Sequence, residues 1–387
     1  MKNQPTQSLI IPDDLIFEHI LPRFPVKSLI GFKSVCKTWY NLISTIEFAK
    51  SQLQFSSSSP NFMISTFCSG RDGELYLLSY DEHNGNLKEL VQLDTQFTNT
   101  MGKANLVGCC NGLVCLFFDD DAYCIEYFTV WNPATHKHRR IRPPSRERLC
   151  KCGFGYTIAL DDYKIVAAFF SYGGDESSTQ IWVFSLQIGK WKQIDFPEDD
   201  GFFTAGGILN GYFAGNSLYW AVYKSGGPFE KRIVCFDLVY EQLREIPIHV
   251  TVSSSSSYLD FNCFVIKGCL SLHFRRGDDN SYDVWVMKQQ DDCNVNTWEK
   301  LLSMSYTVGH TDTYIPDTYI LAFSPTGKCL VQHRQQLKLV DPSLEDVEHA
   351  QGIDFDGFLY PVKWHVESLI SPISPFKTVQ LYWHAWI

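Results

Sequence analysis

The spacing of hydrophobic residues changes near residue 55 and divides the chain into two unlike parts. Before that point apolar residues recur at helical intervals, as at Leu29, Phe32, Val35, Trp39 and Leu42. After residue 60, short apolar runs are separated by turns rich in Gly, Asn and Asp, which is the pattern of β-strands. We therefore expect a mainly β protein with a small helical segment at its N-terminus.

The N-terminal segment is expected to contain short helices joined by proline turns. Pro12 followed by two aspartates is a helix-start signal, and Pro22 and Pro25 interrupt the chain before the next helix. Ser44 and Glu47 have the spacing of a capping box, which predicts a further helix through Phe48. About forty residues generally cannot enclose a sufficient core. The apolar surface of this segment must therefore be covered by the following domain or by a separate protein.

The larger part of the chain repeats a strand-turn-strand pattern. The separations are 52, 53, 52, 51 and 53 residues between the successive positions Leu78, Val130, Val183, Cys235, Val286 and Leu339. A second strand pattern precedes each position, in the segments FMISTF, GLVCLFF, YKIVAAFF, SLYWAVY, CLSLHF and CLVQHR. A period of about fifty residues with β content is typical of β-propellers, whose blades are small antiparallel sheets. Six repeats favour six blades, with seven as the alternative.

The residues IPDDLIFEHILPRFPVKSLIGFKSVCKTWYNLI, within a match from residue 10 to about residue 50, resemble an F-box. The resemblance implies docking on the Skp-type adaptor of a cullin-RING ubiquitin ligase. It also implies that the docking surface is formed or supported by Pro12, Leu15, Ile20, Leu21, Pro25, Leu29, Val35, Cys36 and Trp39. Phe24 stands where the family usually has Leu. Because it keeps the position apolar, docking is expected to be preserved.

Three segments of the larger part, NLVGCCNGLVCL, VWNPATHKHRRI and GFGYTIALDDYKIVA, resemble the F-box-associated domain that follows the F-box in a large plant family. In that family the domain is taken to recruit the protein to be ubiquitinated. The two resemblances and the polar segment FSSSSP divide the chain into three predicted regions. These are a helical F-box domain at 5–54, a linker at 55–60 and a β-propeller-like substrate-recognition domain at 61–387.

Composition and charge limit the classes of partner. The net charge of −10 makes nucleic acid an unexpected partner, since phosphate binding requires an excess of Lys and Arg. A membrane is also unexpected, because no apolar run reaches the ~20 residues that span a bilayer. The 13 cysteines are an odd number scattered through apolar runs. That usage favours reduced thiols and a cytoplasmic or nuclear protein.

Few residue patterns indicate chemistry. Cys150 and Cys152 form a close cysteine pair, but no CxxC accompanies them, so a zinc site is not expected. No phosphate-cradling Gly-rich loop is present, and no cofactor is expected. A concentrated basic stretch contains Arg139, Arg140, Arg142, Arg146 and Arg148. This stretch is a candidate surface for an acidic protein substrate. A solvated hairpin tip and loop is the alternative interpretation.

The predicted function is that of a non-catalytic adaptor in an SCF-type (Skp-cullin-F-box) ubiquitin ligase, which recruits a protein substrate for degradation. A narrower alternative on the same layout is an S-locus F-box protein that recognises S-RNases in self-incompatibility. The alternative of a different class is a β-propeller glycoside hydrolase with a structural helical cap. Such an enzyme would need two suitably spaced carboxylates.

Overall fold

The computed structural model describes residues 12–55, 61–66, 74–81, 84, 86–94, 103–120, 125–173, 176–195, 209–223, 231–248, 261–275, 281–289, 296–305, 318–324, 326–342, 350–355 and 359–373. Besides the internal gaps between these ranges, three end or linker segments of the predicted regions lie outside the described residues. They are the start of the helical domain at 5–11, the linker residues 56–60 and the C-terminal residues 374–387.

A small helical module occupies residues 12–55. Its elements are α1 Asp13–Leu15, a π-helical turn Ile16–Ile20, a 3-10 turn Leu21–Arg23, α2 Val26–Phe32, α3 Lys37–Ile43 and α4 Ile46–Phe55. Pro12 and Pro25 precede α1 and α2 directly, as the proline pattern predicts. The predicted capping box is wrong by one residue, because the Phe48 amide donates to Thr45 Oγ1 at 3.2 Å and Thr45 therefore caps α4.

In the described part of the chain, six sheets follow the helical module, and each sheet is one blade of a propeller; all strand pairs are antiparallel except one short pair in blade 3. Blade 1 contains β1 Asn61–Thr66, β2 Leu75–Tyr80 and β3 Leu87–Gln92, and its innermost strand is β25 Leu359–His365, the last strand among the described residues. Blade 2 contains β4 Lys103–Cys110, β5 Leu113–Asp120, β6 Ile125–Asn132 and β7 Lys137–Ile141. Blade 3 contains β8 Arg148–Thr157, β9 Asp162–Gly173, β10 Glu176–Ser185 and β11 Lys190–Ile194, with the short β12 Leu209–Asn210 parallel to β8.

The remaining three blades have four strands each. Blade 4 contains β13 Tyr212–Ala214, β14 Ser217–Tyr223, β15 Lys231–Asp237 and β16 Gln242–Ile246. Blade 5 contains β17 Phe261–Ile266, β18 Cys269–Arg275, β19 Ser281–Gln289 and β20 Asn296–Ser305. Blade 6 contains β21 Thr318–Phe323, β22 Cys329–His333, β23 Gln336–Val340 and β24 Gly352–Asp354.

The six blades confirm the fold and the blade number that the repeat favoured. All six positions that define the period lie in the third strand of a blade, counted from the centre, in β2, β6, β10, β15, β19 and β23. The second strand pattern corresponds to the second strand of each blade. The period of about fifty residues is therefore the length of one blade with its connection.

The ring is closed by its two ends. Strand β25 pairs antiparallel with β1, and Trp364 lies opposite Phe62. Strand β25 therefore completes the first blade from the inside and pairs with the inner edge of β1.

An apolar core fills each of the six interfaces between neighbouring blades. The core between blades 2 and 3 contains Phe117, Phe128 and Phe154, and it extends into the helical module through Leu29 and Ile43. The module is therefore partly covered by its own propeller, which is one of the two possibilities that its sequence left open.

The propeller has two different faces. The inner strands end at one face, here called the turn face, where the short turns 111–112, 158–161, 215–216 and 267–268 lead to the second strands. Successive blades are joined at the opposite face, here called the connection face. The helical module lies on the turn face, since Lys50 of α4 donates to Asp161 in the turn after β8.

Candidate functional site

The predicted adaptor-binding residues lie mainly on the exposed side of the helical module. Three apolar side chains there are largely open to solvent, Leu15 at 47%, Ile20 at 38% and Val35 at 62% exposure. Pro12, Pro25 and Cys36 are also exposed, and Trp39 is half-buried. Fully burying an exposed side chain of this size contributes about 1.5–3 kcal/mol. The arrangement therefore favours coverage by another surface.

Two predicted residues occupy a different position. Leu21 and Leu29 are 1% and 0% exposed and pack with Val26 and Ile43 in the core that the module shares with blades 2 and 3. They hold the helices in place but are not accessible to a partner. The sequence predicted that these residues form or support the docking surface. Because both are buried, Leu21 and Leu29 can only support that surface from below.

Three further exposed apolar residues extend the same surface, Phe24, Ile30 and Tyr40. The Phe24 ring meets the Phe32 ring edge-on with centroids 5.3 Å apart, and Phe32 meets Trp39 in the same way at 5.6 Å. The sequence contains a signal for Ile30, because α2 is apolar on more than one face, whereas Phe24 and Tyr40 lie outside this helix. Val26 and Leu29 form the buried face of α2, and Phe32 at its end packs against the same core.

A local hydrogen bond sets the start of α3 within this surface. Cys36 has an extended backbone, and its Sγ accepts from the Trp39 amide at 3.5 Å. The side chain thus acts as a weak N-cap. Because Val35 directly precedes this cap and Trp39 lies in the first turn of α3, both side chains are placed at the boundary between α2 and α3.

The predicted basic stretch follows the outer strand of blade 2 and the connection to blade 3. Arg139 is half-buried and used internally: its Nη1 donates to the Leu186 carbonyl at 2.8 Å and its guanidinium lies 5.4 Å from the centroid of the Phe184 ring. Burial lowers the pKa of Arg139, against an opposing effect of Asp162. Arg139 therefore links blades 2 and 3 and is not available to a substrate.

The other four arginines of the stretch are exposed, Arg140, Arg142, Arg146 and Arg148. The Arg140 guanidinium lies 5.0 Å from the centroid of the Tyr127 ring, which favours one orientation of this side chain. Strand β7 ends, and β8 begins, at the connection face. The exposed arginines therefore continue from the edge of blade 2 to the face opposite the helical module.

The close cysteine pair lies inside blade 3. Cys150 Sγ donates to the Ala168 carbonyl at 3.1 Å and Cys152 Sγ to Asn210 Oδ1 at 3.0 Å. Burial raises the pKa of both thiols. Neither sulfur is presented as a thiolate ligand. Within the described residues, no group of three or more His, Cys, Asp or Glu side chains is arranged to hold a metal ion.

None of the helices in the described part of the chain combines the length and apolar character needed to cross a bilayer.

Comparison with known proteins gives two family matches. Residues 9–51 match the F-box domain and residues 71–340 match the F-box associated beta propeller domain. The chain is 29% identical to the F-box/kelch-repeat protein At3g23880 of Arabidopsis thaliana over 96% of this chain and 99% of that protein. It is 27% identical to the F-box protein CPR1 of the same plant, over 76% of this chain and 73% of that protein.

Among solved structures, the periplasmic gluconolactonase PpgL of Pseudomonas aeruginosa is similar over 80% of this chain and 100% of that chain, with 12% identity and a TM-score of 0.43.

Proposed function

The chain belongs to the family of F-box proteins that carry an F-box associated β-propeller domain, and we propose that it is the substrate-recognition adaptor of an SCF-type ubiquitin ligase. Its helical module, proposed to extend over residues 5–54, would bind the Skp-type adaptor and through it the cullin-RING ligase. After a linker at 55–60, the domain at 61–387 would bind the protein to be ubiquitinated. Family membership favours this class over the glycoside hydrolase alternative.

The docking proposal rests on the different exposure of the two sides of the helical module. One side is buried against the propeller through Leu29 and Ile43. The other side leaves Leu15, Val35 and Tyr40 at 47%, 62% and 56% exposure. Since the propeller already covers one side, the exposed apolar side chains are available to a second polypeptide. Clusters of this kind on a soluble protein are characteristic of partner-binding surfaces.

The proposed role requires no bond-making by the chain itself. A bound substrate is held near the ubiquitin-loaded enzyme, so that a substrate lysine attacks the thioester at a high effective concentration instead of in a dilute encounter. The propeller therefore contributes by positioning the bound substrate near the ubiquitin-loaded enzyme. We expect the chain to act in the cytoplasm or the nucleus, a proposal supported by the free thiols of all cysteines among the described residues.

We assign substrate binding to the edge of blade 2 and the connection face. Arg140, Arg142, Arg146 and Arg148 are exposed there, while the chain as a whole has a net charge of −10. A local cationic surface on an acidic protein favours an acidic partner. This position also separates substrate binding from adaptor binding, because the helical module lies on the opposite face of the propeller.

Adaptor capture by the full chain tests the docking proposal. Leu15→Asp and Val35→Asp place a carboxylate in the surface and are expected to reduce capture of the Skp-type adaptor at least about tenfold. Leu301→Asp is the matched control, because Leu301 is 50% exposed on the outer strand of blade 5. Capture that survives both changes in the helical module would overturn the docking assignment.

Substrate capture tests the second surface separately. Replacing Arg140, Arg142 and Arg146 by Glu is expected to weaken substrate capture and leave adaptor capture unchanged. Lys288→Glu changes the charge at an exposed position of blade 5 and serves as the control. Unchanged substrate capture by the triple variant would show that the stretch is only a solvated edge.

A further inference from the structure

A cavity of about 450 Å3 lies at the end of the central channel on the turn face. Its walls are the last residues of β4, β13, β17, β21 and β25 together with the turns that follow β4, β13 and β17. Small-molecule sites generally measure about 300–1,000 Å3. The cavity is therefore large enough for an organic ligand, and none of the predicted partner-binding residues lines it.

A buried lysine crosses the channel beside this cavity. Lys363 of β25 is 8% exposed and reaches from blade 1 to blade 4, where its Nζ donates to the Gly211 carbonyl at 3.0 Å and lies 3.6 Å from the centroid of the Tyr212 ring. An ammonium group has three donors, and the described residues supply one hydrogen-bond acceptor. Burial lowers the pKa of Lys363 to about 8, against an opposing effect of three neighbouring thiols. A buried ammonium with this few partners is stabilised by an anion.

A second buried polar side chain lines the same cavity. His365 is 2% exposed, and neither of its ring nitrogens has a partner of hydrogen-bond geometry among the described residues. Burial lowers the pKa of His365 to about 4, and the nearby Gly112 backbone opposes this shift. The imidazole is therefore neutral at pH 7 and carries one N–H donor.

The charges and shapes of the walls point to one class of ligand. Lys267 and Lys363 line the cavity, and among the described residues no aspartate or glutamate does, although the chain carries a net charge of −10. The remaining lining residues include several glycines and the aromatic residues Phe154, Tyr212, Phe264, Phe323 and Trp364. A simple inorganic anion would leave these rings without a contact. A peptide would bring buried amide groups that need partners of their own.

We propose that this cavity binds a small aromatic carboxylic acid, whose carboxylate accepts hydrogen bonds from Lys363 and His365 and whose ring packs against Tyr212 and Phe264. The carboxylate satisfies the lysine and the histidine together, and the ring fills the apolar part of the cavity. The site is built by the propeller alone and does not rest on the docking function proposed for the helical module.

Titration calorimetry of the full chain tests this site with 2-naphthoate and biphenyl-4-carboxylate. Saturable binding of at least one acid is expected, and its uncharged amide is expected to bind about tenfold more weakly, because the charged hydrogen bond is lost. Lys363→Met is expected to weaken acid binding by about tenfold or more, and Lys267→Gln at the cavity rim by a smaller factor. Lys288→Gln on β19 removes the same charge outside the cavity and is the control.

The comparison of acid with amide uses the unchanged chain, so it decides the question even if Lys363→Met does not fold. The proposal is overturned by the absence of saturable binding of both acids up to about 1 mM, a weak-ligand affinity. It is also overturned if acid and amide bind equally, or if a folded Lys363→Met chain binds like the native one. Binding of a pentapeptide with a free C-terminal carboxylate, without binding of either acid, would assign the cavity to a peptide terminus instead.

Discussion

Lys50 in α4 forms an ion pair with Asp161 in the turn between β8 and β9, with Nζ 2.7 Å from Oδ2. The Tyr156 hydroxyl donates to the other carboxylate oxygen of Asp161 at 2.6 Å. The hydrogen bonds from Lys50 and Tyr156 lower the pKa of Asp161. At this pair a charged side chain of the helical module meets the propeller, beside the apolar core that both share.

The apolar core, and not this ion pair, is expected to hold the module in place. The two charged side chains are 43% and 52% exposed, and exposed pairs generally contribute at most about 1 kcal/mol. Lys50→Ala should therefore lower the free energy of unfolding by less than about 1 kcal/mol. Phe48→Ala should lower it by about 3 kcal/mol, because Phe48 is 5% exposed in the shared core. Urea unfolding of both variants measures the difference, and equal losses would contradict this assignment.

Asn132 connects blade 2 to the segment that follows β25. It is fully buried, and its Nδ2 donates to the carbonyls of Ser368 at 2.9 Å and Ile370 at 2.7 Å. Its Oδ1 accepts from the amides of Ala134 and Thr135 in the next turn. Asn132→Asp puts a carboxylate oxygen against two carbonyls, so we expect a loss of about 3 kcal/mol in the free energy of unfolding.

The control for this prediction is Asn262→Ala, because Asn262 is an exposed residue of β17. Its replacement should change the free energy of unfolding by less than about 0.5 kcal/mol. Chemical denaturation of the two variants checks the comparison. If both variants lose a similar amount of unfolding free energy, the hydrogen bonds between Asn132 and the segment after β25 do not contribute to stability.

The turn at Asn132 shows which features of the fold could be predicted from the sequence and which could not. The segments that begin at Asn132, Ser185 and Asp237 form the same turn, in which that first side chain accepts a backbone amide two or three residues later. The fifth residue of each turn has a positive φ, at His136, Gly189 and Glu241. Local chemistry of this kind repeats with the blade, and so the repeat and the blade number were predictable. The contact of Asn132 with Ser368 was not, since it joins residues 236 positions apart.

The docking surface was predictable to a similar extent. The family resemblance predicts Leu29 and Val35 alike as docking residues, because both are apolar residues of the matched motif. Their exposures of 0% and 62% differ because the propeller covers one side of α2, and the sequence of the module alone does not contain that packing. Likewise, the run of basic residues in the sequence identified the stretch that contains Arg139. The hydrogen bond from Arg139 to the Leu186 carbonyl could not be predicted, because it depends on where blade 3 lies next to blade 2.

A buried lysine links blade 3 to blade 4 and makes Glu241 important for stability. Lys164 is 3% exposed, and its Nζ donates to the Leu238 carbonyl at 2.7 Å and to Glu241 Oε1 at 2.8 Å. Burial by itself would raise the pKa of Glu241, but the hydrogen bonds from Lys164 and Lys192 outweigh it and lower that pKa. Glu241→Ala would leave the Lys164 ammonium buried without its counterion.

We expect Glu241→Ala to reduce the free energy of unfolding by about 3 kcal/mol, in line with the removal of one partner from a buried ion pair. Lys192→Ala removes the second cation on the same carboxylate, but Lys192 is 69% exposed. Its loss should therefore be below about 1 kcal/mol. Guanidinium unfolding of both variants gives the two values, and the reverse order would show that Lys164 does not depend on Glu241.

Two buried histidines should make stability depend on pH. His273 stacks on Tyr282 with ring centroids 4.3 Å apart, and burial lowers its pKa to about 3. Burial lowers the pKa of His365 to about 4. In the unfolded chain both take up a proton near pH 6.5. The unfolded state therefore binds more protons below that pH, so the stabilisation is complete above pH 6.5 and is lost as the pH falls toward 4.

Between pH 7 and pH 5 the two groups together should lower the free energy of unfolding by roughly 4 kcal/mol. Urea unfolding at several pH values measures this slope. His273→Phe keeps an aromatic ring against Tyr282 and should remove about half of the pH dependence. His19→Gln, at an exposed position of the helical module, should leave the dependence unchanged. A slope that is the same in native and His273→Phe chains would show that His273 is protonated in the folded protein as readily as in the unfolded one.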